Sequence, residues 1–227
     1  MSKIKAIIFD FDGTLVDSEY FHFNCWNKVL KEYNLKLSYN YYINNYAGTP
    51  TPANAKALVQ KYKLSITPKE LSDRKEKITE KRLKKEDIKF MPNAINTLKY
   101  FYKLKIPMFL VTGSIRSDVD FILEKTGIKK YFKFCITRSE VKRSKPHPES
   151  YLKAVEQSNF NSKDFLVFED TMNGVESAIF SGLTCFAIQE MKEMHKKLKH
   201  ADKIFENFDK AILYLEKNHR RTTLRED

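Results

Sequence analysis

The sequence predicts an α/β fold: a parallel-sheet core into which a smaller, all-helical domain is inserted. Three observations predict it. The run Ala6-Ile7-Ile8-Phe9 is apolar throughout, as a strand buried on both faces of a parallel sheet must be. From Phe90 onward, helical and strand patterns alternate, the order that builds a parallel sheet covered by helices on both sides. Between Ser18 and Lys89 the pattern is helical with no convincing strand, a stretch the size of a small domain. The expected division is a core of residues 1–17 and 90–218, a helical insert of residues 18–89, and a polar tail of residues 219–227 that frays.

Taken in order, the first strand stops at Asp10 and Asp12 follows two positions later. Side chains two apart on an extended chain face the same side, so both carboxylates can look into one pocket beyond the strand end. Gly13 allows a sharp turn there, and Thr14 can bond the loop. In the insert, Phe23, Trp26, Val29, Leu30 and Tyr33 recur at three- and four-residue steps, which predicts an amphipathic helix with Asp17 or Ser18 as N-cap. A loop carrying Gly48, Pro50 and Pro52 leads to a helix through Tyr62. Thr67-Pro68-Lys69-Glu70 is a capping box with proline at the first position, opening a long charged helix to about Lys85.

In the second half, Pro92 opens a helix whose expected apolar face is Ile95, Leu98, Phe101 and Tyr102. Met108 to Val111 reads as a buried strand ending in Thr112-Gly113-Ser114, followed by a helix over 117–126 and a strand over 132–136. Another helix begins near Pro148, and Phe165 to Phe168 is a strand ending in Glu169-Asp170. Residues 174–181 are helical with Gly182 as C-cap, 183–188 form the last clear strand, and helices are expected near 190–199 and 207–217. Ligands of such sheets bind at the carboxyl ends of the strands, and three of these strands end in polar, chemistry-capable residues.

Bulk properties narrow the function. The chain has 227 residues, 42% hydrophobic, with 17 Phe. Its mean hydropathy of −0.53 and apolar runs of four or five residues predict no membrane-spanning helix. Met1-Ser2-Lys3-Ile4-Lys5 leads straight into a strand without a cleavage site, and Cys25, Cys135 and Cys185 read as buried free thiols, so a cytoplasmic protein is expected. The net charge of +12 is spread along the chain and interleaved with Glu, with no nucleic-acid-binding motif; it predicts attraction of small anionic substrates instead.

The candidate site follows from the strand ends. Two acids placed at the end of an apolar strand need a partner, and a divalent cation is the obvious one for Asp10 and Asp12. Glu169 and Asp170 would complete a hard-oxygen site suited to Mg²⁺, with Asp170 the direct ligand and Glu169 direct, through water, or one shell out. Thr112 and Gly113 sit where a hydroxyl and a close backbone approach are available, with Ser114 and Arg116 near; Arg116 is expected at the surface. Lys145, ahead of Pro146 and Pro148, is held in a low-entropy segment that keeps a point charge fixed, while His147 between the prolines is expected to pack the loop.

The string Asp10-Phe11-Asp12-Gly13-Thr14-Leu15-Val16-Asp17-Ser18 resembles the first motif of the haloacid dehalogenase-like superfamily of phosphotransferases. Thr112, the Lys145-Pro146-His147-Pro148 run and the stretch from Phe165 to Ala178 resemble its other motifs, in the right order. The resemblance implies a Rossmann-like core with a C1-type helical cap, as in the beta-phosphoglucomutase-like and phosphoglycolate phosphatase-like branch. It implies a Mg²⁺-dependent phosphatase acting on a small-molecule phosphate ester such as a sugar phosphate; a monomer is expected. Asp10 would be the nucleophile and form an aspartyl phosphate, with Asp12 as general acid and base. Thr112, Gly113, Ser114 and Lys145 would hold the phosphoryl oxygens, and Asp10, Asp12, Glu169 and Asp170 the metal. His22 and Lys75 fall where beta-phosphoglucomutases carry a histidine and a lysine that contact substrate. Those mutases also place a phosphate-binding arginine three residues after the glycine matching Gly48, where this chain has Thr51. A sugar-phosphate mutase is therefore the second reading, and a non-catalytic binding protein the third.

Overall fold

The structure, a computed structural model, describes residues 4–223. The fully buried strand β1 (Ala6–Phe9) lies at the centre. It pairs in parallel with β2 (Met108–Val111) on one side and β4 (Phe165–Glu169) on the other. With β3 (Phe132–Ile136), β5 (Thr184–Ile188) and β6 (Lys203–Phe205), the order is β3-β2-β1-β4-β5-β6, all parallel. The chain runs outward from β1 to β3, then returns to β4 beside β1 and runs out the other way. The carboxyl ends of β1, β2 and β4 therefore meet at the reversal point, where a crevice opens.

The alternation of side chains divides the core in two. Ile7, Phe9, Leu110, Leu166 and Phe168 face one way, against α5 (Ala94–Lys103), α6 (Arg116–Thr126) and α9 (Phe208–Thr223). Ala6, Ile8, Phe109, Val111 and Val167 face the other way, against α7 (Glu149–Ser158) and α8 (Met172–Phe180). Between β1 and α5, the helices α1 (Glu19–Leu30), α2 (Tyr39–Asn45), α3 (Thr51–Tyr62) and α4 (Pro68–Leu83) enclose a separate apolar cluster around Trp26, Leu30, Leu58 and Leu71. The capping box at the start of α4 forms as expected, with Thr67 and Glu70 bonding each other's backbone.

Several local expectations need correction. Helix α2 falls in a stretch read as loop; its Ser38 N-cap was hidden because the helix buries only Tyr42. The three-residue edge strand β6 was missed, and the segment expected as a helix near 190–199 is a 3-10 run, Lys192–Leu198. Tyr102 is 58% exposed, because the buried face of α5 is Ala94, Thr97, Leu98 and Phe101. All three cysteines are free, but Cys135 is only partly buried, since β3 is an edge strand. Helix α9 continues to Thr223, past its expected end near 217; of the expected tail, residues 224–227 lie outside the described residues. Among the described residues, no helix is long and apolar enough to cross a membrane.

Candidate active site

The turn after β1 sets the first two acids. Gly13 adopts φ +81°, and its N–H bonds Val16 O, while the amides of Leu15 and Val16 bond Phe11 O. Phe11 is thereby buried in the core, so Asp10 and Asp12 both turn toward the crevice. The turn also packs tightly against the end of β4: a Cβ on Gly13 would collide with the Asp170 carboxylate, whose Oδ1 accepts a 2.9 Å bond from the Thr14 hydroxyl.

Asp10, Glu169 and Asp170 offer carboxylate oxygens that all lie within 4.8 Å of one another, and all three residues are buried. Strand alternation places Glu169 and Asp170 on opposite sides, yet the longer Glu169 side chain folds back, its Oε2 accepting from the Asp170 amide at 3.2 Å. Gly174 makes this possible, because a Cβ there would occupy the space of the Glu169 carboxylate. Lys145 Nζ donates to Asp10 Oδ1 and to Glu169 Oε1, 2.6 Å each, and to Val111 O at 3.0 Å; Tyr151 also donates to Glu169.

One ammonium does not balance three carboxylates in a dry site. Burial and the neighbouring Glu169 hold the Asp10 carboxyl well above its usual range despite Lys145, and burial with Asp10 and Glu169 does the same to Asp170. Burial disfavours the charged Lys145, but Asp10 and Glu169 outweigh it and raise its pKa. Three hard oxygen donors with an excess of negative charge fit a divalent cation, with Asp10, Asp170 and Glu169 as the residues that could hold it.

Asp12 lies outside that trio. Its Oδ2 accepts from Ser114 Oγ at 2.5 Å and Thr112 Oγ1 at 3.3 Å, and its Oδ1 faces His22 Nε2 at 3.5 Å. Burial opposes its ionisation, but His22 and Ser114 prevail and hold the carboxyl well below the usual range. The other His22 nitrogen, Nδ1, lies 3.1 Å from Lys75 Nζ, which also donates to Thr51 Oγ1 at 3.3 Å. A cavity of about 100 Å³ is lined by Asp10, Asp12, Thr112, Lys145, His22 and Lys75 among others.

Most residues singled out from sequence thus converge on one crevice. Arg116 does not join it: half-buried, it is spent on Glu140, Asp120 and Cys135 O. His147 packs its loop, its Nδ1 accepting from the Glu149 amide. Sequence reasoning missed Glu76, Asp118 and Arg138, which also line the cavity. Arg138 follows β3 inside the Thr137–Glu140 capping box, a pattern that marks a helix start and not a ligand contact, and Glu76 and Asp118 sit on charged helices where nothing marks one acid from its neighbours.

An acidic crevice at the carboxyl ends of a doubly wound parallel sheet, roofed by inserted helices, defines the class. The chain belongs to the haloacid dehalogenase-like hydrolase family, whose model matches residues 7–188. It is 28% identical over 182 residues to a phosphorylated carbohydrates phosphatase of Thermotoga maritima, covering 79% of this chain and 82% of that one. It is 27% identical over 181 residues to the fructose-1-phosphate phosphatase of Escherichia coli, covering 80% and 94%. Its fold matches the crystal structure of a beta-phosphoglucomutase from Clostridium difficile with a TM-score of 0.81 at 19% identity, over 97% of this chain and 99% of that one.

Proposed function

We propose that the chain is a Mg²⁺-dependent phosphatase of small phosphorylated metabolites, working through a phosphoryl group carried on Asp10. The observation that carries this reading is the convergence on one carboxylate: Asp10 belongs to the acidic trio, is held by Lys145 at 2.6 Å, and opens onto the same cavity as Asp12. Related phosphatases of phosphorylated sugars support the substrate class.

A phosphate monoester dianion repels an attacking carboxylate, so its charge must first be neutralised. Lys145 supplies part of that neutralisation, and Asp10, Asp170 and Glu169 would hold a divalent cation whose charge would supply the rest. Thr112 Oγ1 and the backbone at Gly113 and Ser114 orient the phosphoryl oxygens. Asp10 attacks phosphorus, which divides one hard displacement into two easier ones. Asp12 protonates the leaving oxygen as its bond to phosphorus breaks; it then takes a proton from the water that attacks the phosphoryl group, which breaks the Asp10–phosphorus bond and releases inorganic phosphate and free Asp10. A dianion beside Asp12 pushes its carboxyl upward, the direction a general acid requires. The helices of residues 18–89 act as a cap that governs which hydroxyl reaches the phosphoryl group.

Phosphate release across a panel of metabolite esters, with and without Mg²⁺, tests the reading. Release that requires Mg²⁺ and is lost in Asp10→Asn is expected; release indifferent to both would overturn it.

A further inference from the structure

The cavity holds more charged groups than the phosphoryl chemistry uses. Beyond Lys145, its basic side chains are His22, Lys75 and Arg138, and each already has a hydrogen-bond companion. Arg138 Nη2 bonds Glu76 Oε1 at 2.8 Å, joining the segment after β3 to α4. His22 faces Asp12, and Lys75 bonds His22 and Thr51. Among the described residues lining the cavity, no guanidinium is left over to clamp a second anion bidentately.

Asp118, in the first turn of α6, is the opposite case. It lines the same cavity and, among the described residues, accepts no hydrogen bond and forms no ion pair within hydrogen-bond distance. The charges that reach it are Lys75 and His22, which favour its carboxylate, and Asp12 and Glu76, which oppose it. A carboxylate is an acceptor only, and an unpaired one at a binding cavity is completed by a hydroxyl donor.

We propose that Asp118 is a specificity-determining residue that accepts a hydrogen bond from a hydroxyl of the leaving group. The substrate is then the phosphate monoester of a neutral polyol, and neither a bisphosphate nor inorganic pyrophosphate. The inference rests on the phosphatase reading and narrows it. Among the described lining residues, a second phosphoryl group would meet Glu76 and Asp118 with Lys75 as the one ammonium not paired to a carboxylate, a point charge without a guanidinium's fork, whereas a polyol hydroxyl completes Asp118 and leaves the Arg138–Glu76 pair intact. A site that hydrogen-bonds a hydroxyl also rejects analogues lacking it, because the acceptor is then buried unpaired.

The test compares kcat/KM for a hexitol monophosphate, the matching hexitol bisphosphate, pyrophosphate and the hydroxyl-free ester p-nitrophenyl phosphate. The wild-type chain and the variants Asp118→Ala and Asp118→Asn are all measured. The ratio of hexitol monophosphate to p-nitrophenyl phosphate is expected to fall about 10- to 100-fold in Asp118→Ala, the loss of one hydrogen bond to a charged acceptor, and less in Asp118→Asn. The wild-type chain alone should prefer the monophosphate over the bisphosphate and pyrophosphate, a result that needs no variant to fold. An unchanged ratio in both variants, or equal use of bisphosphate or pyrophosphate by the wild type, would overturn the inference while leaving the phosphatase reading intact. No release from any ester, p-nitrophenyl phosphate included, would overturn both.

Discussion

Lys145 Nζ lies 2.6 Å from both Asp10 and Glu169, so its charge is divided between them, and among the described residues Asp170 has only the Thr14 hydroxyl as a side-chain donor. Asp170 is thus the carboxylate with most to gain from a cation. Asp170→Asn should keep the fold and raise the Mg²⁺ concentration needed for half-maximal phosphate release, with partial rescue at high Mg²⁺. A titration indistinguishable from wild type would move the main ligand to Glu169. Asp118 carries a different signature. Burial lifts its pKa from 3.8 to about 6, so between those values the folded chain holds a proton that the unfolded chain has lost. Stability contributed at this position is therefore greatest at low pH, falls as pH rises across that window, and is level above it. In Asp118→Asn the melting temperature, variant minus wild type, should rise between about pH 4 and pH 6 and then flatten. A difference that stays constant across the window would show that this carboxyl ionises freely.

Among the elements, α8 is fitted to the site by an absence. Its Gly174 leaves the space into which the Glu169 carboxylate folds, and Thr171 caps the helix by accepting from the Gly174 amide. Gly174→Ala should cost about 1–3 kcal/mol by overpacking, measured by denaturant unfolding, and should lower phosphate release because Glu169 carries Lys145 with it. Full stability and full rate in that variant would mean that β4 and α8 part easily. The link between core and insert is equally specific. Asp17 N bonds Lys89 O and Met91 N bonds Leu15 O, each at 2.9 Å, so the outgoing and returning segments run side by side. The insert closes around its own apolar cluster, in which Trp26 is almost fully buried. Trp26→Ala should cost about 3–5 kcal/mol if that cluster unfolds together with the core. Two separate unfolding transitions would show that it does not.

At the scale of the molecule, the strands carrying chemistry were legible because each is short, wholly apolar and stopped by a polar residue, as Phe9 is by Asp10 and Val111 by Thr112. Capping chemistry marked α4 as plainly, through Thr67 and Glu70. What escaped was whatever depends on tertiary placement. Helix α2 and strand β6 lack a periodic apolar face long enough to register. Arg138, Glu76 and Asp118 come from three separate elements and meet only in the folded chain, and no spacing in one segment can signal that. Glu169 shows the same limit from the other side: strand alternation aims it away from Asp170, and only the gap at Gly174 brings it back.

Asp10 as the nucleophile that carries the phosphoryl group is tested most directly by covalent trapping. The wild-type chain would be quenched in acid during turnover of a polyol monophosphate with Mg²⁺, digested, and the peptide spanning Asp10 weighed by mass spectrometry. The account predicts one added phosphoryl group located on Asp10 and absent from Asp10→Asn. Steady turnover with that peptide unmodified, or with the phosphoryl group on another residue, would contradict it.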